Sequence, residues 1–339
     1  MLDFHSLLRP ASPTCVYAQE GWFVWGASMF RHGAKYYICY SRWERSKGFA
    51  AWVTDSEIAL AEGDSPTGEF HFVKTVLPRR KGYWDGDCTH NPNVITVGGR
   101  HYLYYMGNWG NGEYWNHRNH QKIGCAWTDD PLGEWHRADA PALDTGKDVT
   151  DFDSLMVSNP SVCAAGDGRF LMVYKGVSAN APLPLGGQVI CGTAWSDTPE
   201  GPFTRTGKAC FVNPAEHWSV EDPFIWRQDG TFCALVKDFH GYFSSGARAE
   251  KSADGALKFT EKRASTALMY SLDGETWQPA ENPYAFGLSY RMEDKELPVK
   301  NLERVQVYME DGKPACMLCA CAEDSTSGTV YNIRIPLAR

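Results

Sequence analysis

The 339-residue chain carries 33 Lys and Arg against 41 Asp and Glu, a formal net charge of −8. That balance disfavours a nucleic-acid partner, whose affinity rests mainly on Lys and Arg neutralising phosphates, and no apolar run reaches membrane-spanning length. Aromatic residues make up 13% of the chain and no linker or low-complexity tract divides it, so residues 1–339 read as a single domain, a length all-β folds reach as one unit.

In chain order, the N-terminal Met1-Leu2-Asp3-Phe4-His5-Ser6-Leu7-Leu8 lacks the basic-then-apolar layout of a secretion signal. The 11 cysteines are odd in number and scattered through apolar runs, as reduced, buried thiols are. Both features predict a cytoplasmic protein. Cys316, Cys319 and Cys321 lie close together but lack the second pair a zinc site needs, so no metal site is expected there.

The first strand signature, Trp25-Gly26-Ala27-Ser28-Met29 followed by Tyr36 to Tyr40, recurs in sharper form downstream. Its later copies are His90-Asn91-Pro92-Asn93-Val94, Ser158-Asn159-Pro160-Ser161-Val162, Glu221-Asp222-Pro223-Phe224-Ile225 and Glu303-Arg304-Val305-Gln306-Val307. Aligning Asn91, Asn159, Asp222 and Arg304 gives steps of 68, 63 and 82 residues, each motif followed by a second apolar run. A second signature joins a short strand to an aromatic through Asp, Pro and Gly, as in Thr128 to Trp135, Ser196 to Phe203 and Ser271 to Trp277. Those residues favour turns through preset φ, positive φ and local side-chain bonding. Two signatures in register, with no long helical period, predict an all-β, five-bladed β-propeller with four-stranded antiparallel blades around a central funnel. Val330 to Leu337 would be a third strand of the last blade, and residues before Trp22 its fourth, latching the ring.

In such a ring the motif positions meet at the funnel mouth: Trp25 and Gly26, His90 and Asn91, Ser158 and Asn159, Glu221 and Asp222, Glu303 and Arg304. A second tier comes from the following strand ends: Ser41-Arg42-Trp43, Gly107-Asn108-Trp109, Lys175-Gly176 and Lys237-Asp238-Phe239-His240. Polar groups that fix hydroxyls, beside Trp faces for apolar sugar surfaces, suit a carbohydrate pocket. Trp25, Arg42, Trp84, His90, Asn91, Trp109, Asn159, Lys175, Asp238, His240 and Arg304 are the candidate substrate-binding residues. Asp151 and Asp153 also precede an inner strand, whereas Asn111 to Gln121, with His117 and His120, reads as a solvated loop.

Through blade periodicity, inner-strand motifs and turn signatures, the chain resembles the five-bladed propeller glycosidases of glycoside hydrolase families 43, 62, 32, 68, 117 and 130. The resemblance implies glycosidase activity on a carbohydrate substrate. It also implies that Glu221, two residues before Pro223, occupies the general-acid position of family 43. Gly26 and Ala27 stand where that family has its blade-one Asp base, and Asn159 where it has a modulating Asp.

Glycosidic hydrolysis generally needs one protonated and one ionised carboxyl flanking the bond. Glu221 as acid with Glu303 or Asp87 as base satisfies this, Asp222 orienting or tuning Glu221. Arg304 and His90 would then grip hydroxyls or a carboxylate, since guanidinium pairs bidentately with planar carboxylates. Long segments at Trp109 to Gln121 and Ser244 to Thr266 would wall the funnel into a pocket for exo action, and inversion follows from the resemblance. No cofactor is expected, a structural calcium on the propeller axis staying open, and nothing in the sequence speaks to oligomeric state. Two other readings stay open: a non-catalytic carbohydrate-binding propeller, motivated by the missing blade-one Asp, and a phosphorylase with Arg42, Arg304, Lys175 and Lys237 as its anion site.

Overall fold

The computed structural model describes residues 2–214, 216–218, 220–244, 250–251, 257–258, 264–325 and 328–338. Its frame is five four-stranded antiparallel sheets, each starting at one repeat motif. Blade one comprises Trp22–His32, Lys35–Glu44, Glu57–Gly63 and Phe70–Leu77, and blade two Cys88–Val97, Arg100–Asn108, Lys122–Thr128 and His136–Arg137. Met156–Ala164, Phe170–Val177, Ile190–Ser196 and Thr204–Cys210 build blade three; Val220–Gln228, Thr231–Asp238, Ser265–Ser271 and Gln278–Phe286 build blade four. Blade five takes Asn301–Glu310, Lys313–Ala322 and Val330–Pro336, and its outer strand is Val16–Tyr17.

That N-terminal strand closes the ring as the sequence predicts. Val16 pairs with Ile333 and Tyr17 with Asn332, while Tyr17 Oη donates to Tyr40 Oη of blade one at 3.0 Å. Full closure removes open sheet edges, the sites where strands otherwise pair with other chains. Tyr17→Phe is expected to cost about 0.5–1.5 kcal/mol by deleting this one inter-blade bond, read as a shift in the urea midpoint at unchanged slope. A shift indistinguishable from zero would mean the bond does not tie the latch to blade one.

The repeat has a backbone cause. Gly26, Asn91, Asn159, Asp222 and Arg304 all have positive φ, at 37°, 56°, 52°, 53° and 56°. Each inner strand breaks register there with a β-bulge. Gly adopts this conformation freely and Asn and Asp tolerate it best among the others. A Pro directly after it is acceptable because the ladder is already interrupted. Blade one, the weakest copy in sequence, is equivalent in geometry because Gly answers the same backbone demand as Asn.

Bulges re-aim side chains, and here they turn the motif residues towards the centre of the ring. Asn91 Nδ2 donates to Asn159 Oδ1 at 2.8 Å, Asn159 Nδ2 to Asp222 Oδ1 at 2.9 Å, and the Arg304 amide to Asp222 Oδ2 at 3.1 Å. A second tier fastens neighbouring blades backbone to side chain. The Val94 amide donates to Ser28 Oγ at 2.9 Å, the Val162 amide to Asn93 Oδ1 at 2.8 Å and the Ile225 amide to Ser161 Oγ at 2.9 Å. Buried polar groups thus find partners across blade boundaries, which sets the angular position of each blade.

Candidate active site

A cavity of about 170 Å³ opens above the hydrogen-bonded ring. Its floor holds Asn91, Asn159, Asp222 and Arg304, and around them stand the preceding motif residues Trp25, His90, Glu221 and Glu303. The walls come from Trp43, Phe49, Trp52, Tyr114, Arg118, Gln121, Lys175 and Trp218. Phe49 and Trp52 sit between the second and third strands of blade one, and the short helix Tyr114–Asn119 occupies the same interval of blade two. Among the described residues the cavity is therefore rimmed chiefly on the side of these two blades.

Among the described residues three carboxylates line it, each matched to a cation. Lys175 Nζ, on the second strand of blade three, reaches Glu221 Oε1 of blade four at 2.7 Å. Lys237 on blade four makes the same step to Glu303 on blade five, which also accepts from Asn301 Nδ2 at 2.7 Å. The Arg304 guanidinium donates to Asp222 Oδ1. Burial by itself would raise the Asp222 carboxyl, but Arg304, Lys237 and Lys175 outweigh it and hold it below the usual carboxylate value. Asp222 is thus an ionised anchor, its oxygens engaged by Asn159 and Arg304.

His90 is buried between the indoles of Trp43 and Trp52, with ring centroids 5.6 and 5.2 Å away, and its Nδ1 lies 2.7 Å from Ser56 Oγ. Burial, reinforced by Arg304 and Lys175, pushes it well below the ordinary histidine value. It is therefore a neutral hydrogen-bonding group at pH 7. Several polar atoms around the cavity are buried without a hydrogen-bond partner among the described residues: Gln121 Nε2 and Oε1, Asn91 Oδ1, Arg304 Nε and Trp218 Nε1. Buried polar groups are nearly always paired, and these stand out as the unsatisfied groups beside the cavity.

Other sequence candidates lie elsewhere. Arg42 is engaged within blade one, bonding Glu57 at 2.9 Å, Thr75 at 3.0 Å and Gln19 at 3.1 Å. Asp238 accepts from the Tyr242, Phe243 and Ser244 amides at 3.1, 2.8 and 2.9 Å. The reason is strand alternation: Ser41, Lys175 and Lys237 face motif residues Trp25, Ser158 and Glu221, whereas Arg42 and Asp238 sit one residue further along, on the opposite face of the sheet. His240 follows in a turn, 3.6 Å from Glu216.

Trp84 stacks on Tyr105, Trp109 is exposed and stacks on His120 at 4.6 Å, and none of these residues lines the cavity. Nor does Asp87, whose Oδ2 accepts from the Gly110 amide at 3.0 Å. Asp153 is buried against Tyr174 Oη at 2.8 Å and Arg205 at 3.1 Å, a structural role.

The Asn111–Gln121 stretch differs from the solvated loop expected of it: His117 and Arg118 are buried, and His117 Nδ1 lies 3.0 Å from Asn108 Oδ1. The Trp109 to Gln121 segment does wall the cavity, through Tyr114, Arg118 and Gln121, whereas Phe49, Trp52 and Trp218 escape sequence reasoning because they lie between repeats, where nothing periodic marks them. Trp43 enters the second tier only as a neighbour of Arg42. The other proposed wall, Ser244 to Thr266, falls largely outside the described residues. Among the described residues no group of three or more His, Cys, Asp or Glu stands together as a metal site requires.

No family model matches the sequence, and no curated protein matches it. Solved structures are similar over nearly the whole chain. A glycoside hydrolase aligns with a TM-score of 0.66 at 16% identity, covering 98% of this chain and 93% of its own. Zg3597, a family 117 glycoside hydrolase produced by the marine bacterium Zobellia galactanivorans, aligns at 0.64 and 15%, covering 98% and 89%. The arabinanase Arb43A of Bacillus subtilis aligns at 0.60 and 12%, covering 96% of both chains. The chain shares their five-bladed fold. At these identities the likeness concerns the fold, and the chemistry must be argued from the cavity.

Proposed function

We propose that the protein is a glycoside hydrolase that removes a terminal sugar with inversion, Glu221 acting as general acid and Glu303 as general base. One observation carries the assignment. Of the three carboxylates lining the cavity among the described residues, Asp222 has both oxygens engaged, by Asn159 and Arg304, whereas Glu221 and Glu303 are bonded through Oε1 alone, which leaves these two for the roles that glycosidic hydrolysis demands. Asp87, the other base candidate, lies off the cavity. Trp25, Trp43, Trp52 and Trp218 supply the apolar faces, and Glu221, Glu303 and Lys175 among the lining residues supply polar groups for hydroxyls. Exo action is supported by size: about 170 Å³ is below the roughly 300–1,000 Å³ of drug-sized sites, which suits one ring better than a threaded chain.

The test is product release from aryl glycosides and oligosaccharides, pyranose and furanose, neutral and acidic, with the first-formed anomer followed by proton NMR. Inverted product from the wild type, independent of added phosphate and absent in Glu303→Gln, is the expected result. Retained configuration would recast Glu303 as a nucleophile, and strict phosphate dependence would point to phosphorolysis. The ion pairs Lys175–Glu221 and Lys237–Glu303 favour one other reading, a binding propeller whose glutamates are structural. Sugar binding without turnover across the panel would establish it.

A further inference from the structure

Each cavity carboxylate has its own cation: Lys175 for Glu221, Arg304 for Asp222 and Lys237 for Glu303. Arg118 is additional. It lines the cavity and is 5% exposed, yet among the described residues no Asp or Glu forms an ion pair with it. Its Nη1 donates to Asn119 Oδ1 at 2.9 Å and to the Leu185 carbonyl at 3.1 Å, which fixes the side chain. Nε and Nη2 have no partner among the described residues, and they form the edge of a guanidinium that grips a carboxylate through two parallel bonds. A buried charge without an ion pair of its own is costly, and the carboxylate whose field favours the charged form of Arg118, Glu221, is already bonded to Lys175. Gln121, 1% exposed and on the same wall three residues away, leaves both amide atoms unpartnered. His90 is neutral, so it adds no charge of its own.

We infer that the cavity takes an acidic sugar, its carboxylate held by the Nε–Nη2 edge of Arg118. This rests on the carbohydrate reading of the cavity but not on its hydrolytic chemistry. The pocket would discriminate uronic acids from neutral hexoses of the same configuration, because only the acid satisfies the extra cation. A free phosphate offers similar oxyanion chemistry, and the experiment separates the two.

Calorimetric titration of the wild type would compare methyl glycosides of galacturonic and glucuronic acid with their neutral hexose counterparts and with inorganic phosphate. The expected result is tighter binding of a uronide by about tenfold or more, the scale of a charge-assisted bond. Arg118→Gln should abolish that preference, read as the ratio of uronide to neutral-sugar affinity, and Arg118→Lys should keep part of it. Ligand-free melting curves of both variants check that they fold, and the wild-type preference needs no variant at all. Absence of uronide binding, equal affinity for acid and neutral sugar, or a preference that survives Arg118→Gln would each overturn the proposal. Phosphate displacing the uronide preference in an Arg118-dependent way would reassign the site to phosphate. Because binding is read directly, a catalytically inert protein that prefers uronides would sink the hydrolase reading and leave this one standing.

Discussion

Glu221→Gln is expected to lower oligosaccharide turnover by about 10²–10⁴-fold, the contribution of a positioned general acid or base. The substitution is nearly isosteric. Glu221 Oε1 still has Lys175 as a donor nearby at 2.7 Å, so the amide can keep that contact while losing the transferable proton. Comparing leaving groups identifies the role. A dinitrophenyl glycoside departs without protonation, so a variant lacking only the general acid should recover most of its rate on that substrate. Glu303→Gln should be impaired on both substrates alike, because activation of water is needed whatever departs. If Glu221→Gln loses the same factor on activated and unactivated substrates, Glu221 is not the acid, and if it loses nothing, the site lies elsewhere. The ring below makes this test clean: Asp222, the adjacent carboxylate, is held ionised by Arg304 and stands in for neither role.

Asp222→Ala is expected to destabilise the protein by about 3–5 kcal/mol, the cost of removing one partner from a buried ion pair. Three blades converge on this carboxylate: Asn159 from blade three, Asp222 itself from blade four, and Arg304 from blade five through both amide and guanidinium. Its loss leaves a buried guanidinium with no counter-charge and breaks the chain of bonds that continues to Asn91. Asp222→Asn keeps acceptor and shape but not charge, and should fall between wild type and Ala.

The pH dependence has a defined sign. In the unfolded chain the carboxyl titrates at the ordinary value of about 3.9, whereas in the fold the nearby cations hold it lower. The carboxylate therefore stabilises fully above the ordinary value, and this contribution is lost as pH falls through the lowered folded one. Melting temperature measured from pH 6 to pH 3 should fall less steeply for Asp222→Asn than for the wild type. Identical slopes would show that Arg304 does not stabilise the charged form.

Much of the architecture is legible from local backbone demand. Five positions need left-handed φ at a bulge, and Gly26, Asn91, Asn159, Asp222 and Arg304 occupy them at a readable spacing. Pro92, Pro160 and Pro223 sharpen three of the copies because the broken ladder no longer needs an amide there. Those constraints are local, so blade count, inner-strand placement and the first ring of cavity residues can be read from the chain itself. The N-terminal latch follows as well, since four strands in the last blade leave one unaccounted for.

The cavity walls are a different matter. Arg42 and Asp238 are one residue out of phase with Lys175 and Lys237, and strand alternation sends them to the other face; only the register across the bulge decides that phase. Arg118, Gln121, Phe49, Trp52 and Trp218 come from connections between strands, whose direction is set by what they pack against rather than by their own sequence. Asp87 and Glu303 are equal candidates for the base as residue types, yet one caps a loop at Gly110 and the other faces Glu221's cavity. By itself the sequence determined where the backbone must bulge, and with it the ring of motif residues around the axis. Tertiary packing decided which carboxylate has both oxygens engaged within that ring and which cavity cation forms no ion pair among the described residues, because charge compensation is settled between blades far apart in the chain.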